Sequence, residues 1–202
     1  MNMTYLKYGA YAVIGLAVAF YVLKPEAEQT ADLGAVLDRT EFALMNYEKM
    51  TQLEIDETAT EATPEQMEEF RGIYTQVMNA DTKFYDKQIG LALKEDGSFL
   101  GFQDGNYNNV QDSGEEKLFT VEIDTENSRL IATDLNGSSS GLRFSGTGFL
   151  AGAIVGRLLG RQRAAGIKPG AFANRNVKPR SSYKSPSSAR SKSRSGGVRT
   201  GK

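Results

Sequence analysis

A chain of 202 residues with 24 Lys and Arg against 25 Asp and Glu carries a formal charge of −1, and has room for one modest domain with appendages. It contains no Cys, no His and no Trp. These absences exclude a disulfide framework, thiol nucleophiles, Cys/His zinc sites and any mechanism with a histidine base. The near-neutral total hides a segregation. Every acidic residue lies between Glu26 and Asp134, so residues 1–134 set ten basic groups against 25 acidic ones, a net −15, whereas residues 135–202 carry 14 basic groups and no acid. An acidic body and a basic C-terminal part are separate physical objects. Two arrangements are open: the tail folds back on the body, or it meets an external polyanion.

The first element is apolar. Tyr8 to Leu23 is 16 residues without a charge, bounded by Lys7 and Lys24. As a helix it reaches roughly 24 Å, a little short of a ~30 Å hydrocarbon core. Snorkelling lysines and the interfacial rings of Tyr5, Tyr8 and Tyr21 make up the difference. A cleaved secretory signal requires small residues at −3 and −1, but the best site, after Ala27, places Pro25 at −3. Residues 1–29 therefore read as a single membrane anchor that stays attached. The basic residues near the span put the N-terminus in the cytoplasm and the domain outside it, in the periplasm if the source is bacterial.

Residues 30–145 read as an acidic α+β domain of two helices and a four- or five-stranded antiparallel sheet. Thr30 to about Met50 sets Leu33, Val36, Leu37, Leu44, Tyr47 and Met50 near one helical face. Thr63-Pro-Glu-Gln66 has the form of a helix start, with Thr at N-cap, Pro at N1 and Gln at N3. The helix that follows presents Met67, Phe70, Ile73, Tyr74 and Val77, and the two helices suit a hairpin. From Lys87 the period becomes two. Ile89, Leu91 and Leu93 alternate, Glu95–Ser98 turns into Phe99–Phe102, and Phe119, Val121 and Ile123 alternate again. Asp124–Asn127 then turns into Arg129–Leu135, with Gly141–Ser145 as an edge strand.

Two features of this domain invite a chemical reading. Asp104, Asn106, Asn108, Asp112 and Glu115 occupy positions 1, 3, 5, 9 and 12 of a twelve-residue loop, the side-chain ligand positions of a calcium-binding EF-hand. Asn109 stands where that motif has Gly, and the flanks read as strands rather than helices, so turn chemistry is the competing explanation. Calcium is thus the one cofactor the sequence offers for test. The neighbouring carboxylates Glu68/Glu69 and Glu115/Glu116 do not converge on one site, because adjacent side chains diverge on a helix and alternate on a strand. An enzyme is not expected, and no residue is assigned as catalytic.

Residues 146–166 read as a glycine-rich amphipathic helix. Gly148, Gly152, Gly156 and Gly160 recur every fourth residue and form a smooth stripe suited to close helix packing. Three placements fit: a membrane interface, a dock on the domain or on a second copy, and a short second span. Residues 167–202 are rich in Ser, Arg, Lys, Gly and Pro and read as a disordered basic tail whose removal leaves the fold's melting unchanged. The residues expected to meet a polyanion are Arg157, Arg161, Arg163, Lys178, Arg180, Lys184, Arg190, Lys192 and Arg194.

Phe149–Gly160, followed by a Ser/Arg/Gly tail containing Ser193–Gly197, resembles the C-terminal part of YgiB/YjfM-type bacterial envelope proteins. This chain departs from that pattern in having no Cys for lipid modification. The resemblance implies an envelope protein without an established activity, whose tail is open to modification by a partner ligase. It transfers no functional residue. The expected function is a non-enzymatic, single-pass membrane-anchored envelope protein acting in assembly or interaction. Its partners are the lipid bilayer, a second copy or another membrane protein, and anionic headgroups or polymers met by the tail. The alternative is a nucleic-acid- or anionic-lipid-binding membrane protein of viral or phage origin.

Overall fold

The computed structural model describes residues 31–51, 61–80, 84–144 and 152–184. The apolar run 8–23, Gly148 and the basic residues beyond Lys184 lie outside the described residues. The described residues fold as α+β, with three helices and a six-stranded sheet among them in the order β1-β2-β3-β4-β5-β6.

Helix α1 spans Leu33–Thr51 and begins at Asp32, whose Oδ1 accepts the amides of Gly34 and Ala35 at 2.9 and 3.3 Å. These bonds satisfy donors that a helix start leaves without partners. The expected stripe is the buried one, with Leu33, Val36, Leu37 and Tyr47 in the core. Helix α2, Pro64–Met78, opens with the expected capping box: Thr63 Oγ1 accepts from Gln66 N at 3.2 Å, and Gln66 Oε1 accepts from Thr63 N at 2.8 Å. It buries Met67, Phe70, Tyr74, Thr75 and Met78. The helices pair through rings, with Tyr47 edge-on to Phe70 at 5.5 Å between centroids.

Strands β1 (Ile89–Leu93), β2 (Phe99–Gln103), β3 (Lys117–Asp124), β4 (Arg129–Asp134) and β5 (Ser139–Arg143) form an antiparallel meander. Register aligns Phe99 with Val121 and Val121 with Ala132, so these three share a face. That face meets the helices, because the Phe99 ring lies 5.8 Å from Phe70 and 5.3 Å from Tyr74. Two strand glycines exist for rings: a Cβ at Gly90 or Gly101 would stand 2.3 Å from Phe102 or Phe119 Cζ, so each ring lies flat over its cross-strand glycine.

Helix α3, Ala153–Ala164, docks on this core rather than standing apart from it. Ala153, Ile154, Val155 and Leu158 are buried in the main cluster, Gln162 Nε2 donates to Ile123 O at 3.1 Å, and Ala62 N donates to Ala153 O at 2.9 Å. Gly166 ends the helix at φ +77°, with its amide bonded to Arg163 O and that of Ile167 to Gln162 O, a Schellman stop.

The structure corrects the sequence reading beyond this point. Residues 167–184 belong to the fold and are not part of a disordered tail. From Gly166 the chain crosses the sheet face opposite the helices. There Arg175 pairs with Glu122, Arg129 Nη2 donates to Phe172 O at 3.3 Å, and Phe172 is buried. It then forms β6 (Val177–Pro179), parallel to β5, with Ser139 opposite Val177 and Gly141 opposite Pro179. The sheet is therefore mixed, and β5 is internal rather than an edge. This segment was hidden because ion pairs and backbone pairing hold it, not an apolar period.

Both sheet edges are protected against pairing with another chain. Asn79 bonds the amide and the carbonyl of Ile89 at 2.9 and 2.8 Å, Arg71 Nη1 donates to Leu91 O at 3.1 Å, and β6 ends in Pro179. No described helix is long and apolar enough to cross a membrane.

Candidate functional site

The most constructed polar region among the described residues is the corner where the domain begins and ends. After β6, a single 3-10 turn at Arg180–Ser182 brings Tyr183 against the start of α1. Its Oη accepts the Leu33 amide at 3.2 Å. Arg180 lies along the first turns of α1 and grips Asp38 with two nitrogens, Nε to Oδ1 at 2.9 Å and Nη2 to Oδ2. Glycine at position 34 makes this possible, since a Cβ there would stand 2.8 Å from Arg180 Cζ. Burial, with the charges of Asp32 and Asp134 behind it, raises the Tyr183 pKa against the opposing Leu33 amide bond and Arg180 charge, so the phenol stays neutral.

A cavity of about 330 Å³ opens at this corner between the β4–β5 turn and the end of the chain, with Ser138, Lys178, Ser182, Tyr183 and Lys184 in its wall. Asp134 also lines it, but its Oδ1 already accepts the amides of Asn136 and Ser138 at 2.9 and 2.8 Å. A second cavity of about 190 Å³ lies between α3 and the crossing segment, lined by Asp124, Leu159, Gln162, Lys168 and Phe172. Its carboxylate is engaged too. Asp124 accepts Arg129 Nε at 2.7 Å and Asn127 Nδ2 at 2.9 Å. Burial pushes its pKa up, and these bonds outweigh it to leave the group below the usual aspartate range.

The residues expected to meet a polyanion divide three ways. Arg157 and Arg163 face Glu61 at 3.4 and 3.7 Å, Arg161 Nη1 reaches Lys94 O at 3.5 Å, and Arg180 is held by Asp38. These four contact the protein's own body, which is the fold-back arrangement. Lys178 and Lys184 are exposed beside the corner cavity. Arg190, Lys192 and Arg194 lie outside the described residues. Of the glycine stripe, Gly160 packs closely, a Cβ there meeting Glu61 Oε1 at 2.9 Å, whereas one at Gly152 would meet nothing within 4 Å. Gly156 is half-buried. Of the three placements open to this helix, its 153–164 portion adopts the dock on the domain.

The Asp104–Glu115 loop gathers its five predicted residues. Asp104 accepts the amides of Asn108 and Asn109 through separate oxygens, at 3.2 and 2.9 Å. Glu115 takes those of Gly105 and Asp112, at 2.8 and 3.0 Å. Asn106 and Asn108 both donate to Asp112 Oδ2, at 2.7 and 2.8 Å. Each carboxylate thus faces N–H donors, and a cation would have to displace them. Asn109 adopts φ +56°, the conformation that the glycine of an EF-hand loop supplies. Among the described residues no group of three or more acidic, His or Cys side chains is arranged to hold a metal ion.

The neighbouring carboxylates part company. Glu68 pairs with Arg71, while Glu69 accepts the Tyr47 hydroxyl at 3.0 Å. The corner itself was missed by sequence reasoning. The available signal was that the acid-free stretch 135–202 carries both Phe172 and Tyr183. No protein-family model, curated protein or solved structure matches the chain.

Proposed function

We propose that the chain is a non-catalytic, membrane-tethered module that acts in assembly or interaction at a cell envelope, held by residues 8–23 with the domain outside the cytoplasm. The observation that carries this reading is the apolar run of 16 uncharged residues joined to an acidic domain whose first and last described elements close on each other. A domain sealed in this way is a unit that can be presented on a stalk, and its contact chemistry lies at its surface. The resemblance of Phe149–Gly160 and the Ser/Arg/Gly tail to YgiB/YjfM-type envelope proteins supports the same compartment.

The test is extraction of membranes that contain the full chain with alkaline carbonate, beside a variant in which Ile14, Leu16, Val18 and Val22 become Ser. The parent is expected to stay in the pellet and the variant to be released. Release of the parent overturns the reading.

A further inference from the structure

The cavity between α3 and the crossing segment is shaped by the way the chain turns back at Gly166. The Schellman stop bonds Ile167 N to Gln162 O at 2.9 Å, which returns Ile167 to the side of the helix end. Two further turns follow, closed by Ala171 N on Lys168 O at 3.0 Å and Ala173 N on Gly170 O at 2.9 Å. They bring Phe172, 6 % exposed, into the wall. Leu159, Ile167 and Phe172 give the cavity an apolar lining, and Gln162 interrupts it. Its volume of about 190 Å³ lies below the roughly 300 Å³ at which sites for drug-sized ligands begin, so a fitting occupant has the size of a single capped amino acid.

Gln162 is the informative residue. It is 6 % exposed, and its Nε2 donates to Ile123 O at 3.1 Å. A carbonyl only accepts, so this bond fixes the amide with its nitrogen on the strand and leaves Oε1 for the cavity. Oε1 accepts no hydrogen bond among the described residues, and an acceptor held that deep is costly to leave alone. The charges around it are unequal. Asp124 lines the cavity but is spent: Oδ1 accepts the Asn127 amide at 3.2 Å, and Oδ2 accepts Arg129 Nε and Asn127 Nδ2. Lys168 is exposed and has no carboxylate within ion-pair distance among the described residues. Arg163 is 71 % exposed and stands 3.7 Å from Glu61, a weak pair that it can leave. Glu126 approaches Gly170, where a Cβ would stand 2.9 Å from Oε2, but is not part of the wall.

We propose that this cavity binds a small apolar carboxylate with an N–H beside its acid group, the atoms shared by an N-acylated apolar amino acid and the free C-terminal residue of a peptide. The N–H donates to Gln162 Oε1, the apolar side chain lies among Leu159, Ile167 and Phe172, and the carboxylate meets Lys168 and Arg163. Each part of the ligand answers a feature of the cavity: an acceptor without a donor, an apolar wall, and cations at the rim. With Glu126 nearby the positive excess is small, which suits a singly charged carboxylate better than a doubly charged phosphate. The proposal goes beyond the envelope reading and does not depend on residues 8–23.

The test titrates the full chain, held in phosphatidylcholine nanodiscs, with N-acetyl-L-leucine and follows amide NMR signals, the side-chain amide of Gln162 among them. Saturable shifts are expected at that group and at Ile167–Phe172. Isocaproate keeps the apolar body and the acid without the N–H, and N-acetyl-L-leucinamide keeps the N–H without the charge. Each is expected to bind several-fold more weakly than N-acetyl-L-leucine. The double variant Lys168→Gln, Arg163→Gln should reduce N-acetyl-L-leucine to the level of the leucinamide with no change in melting temperature, since both side chains are exposed. Gln162→Leu should make N-acetyl-L-leucine and isocaproate bind alike; where that variant fails to fold, the two compounds on the parent protein decide the same point. The tripeptide Ala-Ala-Leu separates the sources: binding as tight as that of N-acetyl-L-leucine assigns peptide ends, and no binding assigns the free acylated amino acid. Absence of a saturable shift at Gln162 overturns the proposal, as do equal affinities for the three leucine-like compounds or displacement by an equal concentration of inorganic phosphate. Carbonate extraction tests the anchor separately, so neither failure counts as the other.

Discussion

Replacing Phe172 by Ala tests whether the crossing segment is part of the cooperative fold. The side chain is 6 % exposed and lies outside the main core cluster, on the sheet face opposite the helices. Arg175 Cζ stands 5.0 Å over its ring, and its carbonyl receives Arg129. Buried Phe→Ala changes cost about 3–5 kcal/mol in protein cores. The rim position puts Phe172 at the low end, about 3 kcal/mol, with the lost cation contact included. A domain of this size shifts by about 2–4 °C per kcal/mol, so the melting temperature is expected to fall by roughly 10 °C. Differential scanning calorimetry reads the shift, and amide exchange reads the accompanying loss of protection in β5 and β6. Arg175→Ala, by contrast, removes a half-exposed ion pair with Glu122 and should cost within about 1 kcal/mol. A Phe172→Ala protein that melts within 2 °C of the parent, with unchanged exchange in β5–β6, refutes the docking of residues 167–184.

Stability is expected to fall at both extremes of pH. Asp124 has a lowered pKa in the fold, so its contribution is present above the unfolded aspartate value and lost as pH falls through the folded one; a urea midpoint that drops below about pH 4, and drops less steeply in Asp124→Asn, is expected. Burial, with the charges of Glu116 and Asp86 behind it, pushes Tyr85 up to about 12, so its contribution is lost between the unfolded tyrosine value of about 10 and that pH. Tyr85→Phe should flatten this alkaline arm as followed by circular dichroism. Gly160→Leu must displace Glu61 and is expected to lower the melting temperature by several degrees, whereas Gly152→Leu enters open space and should cost much less. Calcium at millimolar concentration should leave the melting temperature unchanged, because the carboxylates of the Asp104 loop already face N–H donors. A saturable rise on titration would assign that loop to a cation.

Legibility in the sequence followed the kind of force that holds each element. Helix α2 was readable to its first residue because Thr63, Pro64 and Gln66 encode a cap by local chemistry. The five meander strands were readable because Ile89, Leu91, Phe119, Val121 and Ile123 alternate and short polar turns join them. Strand β6 was not. Val177-Lys-Pro179 has no period, and its place beside β5 depends on Arg175, Arg180 and Tyr183 finding Glu122, Asp38 and the Leu33 amide, partners 53, 142 and 150 residues away in the chain. Composition marked this stretch as one with the tail, and the same arginines that suggested an outside polyanion are partly spent on the acidic body. For Arg157, Arg163, Arg175 and Arg180 the charge segregation therefore has an internal meaning, each pairing with a carboxylate of the acidic body.

Topology tests the central claim most directly. An alkaline phosphatase moiety fused after Lys202 of the full chain, expressed in a bacterium, becomes active only if it reaches the oxidising side of the membrane. On the proposed reading of residues 8–23 as a single anchor with the domain outside the cytoplasm, phosphatase activity is predicted, together with a dark green fluorescent protein at the same position. A fluorescent C-terminus with an inactive phosphatase would contradict the account.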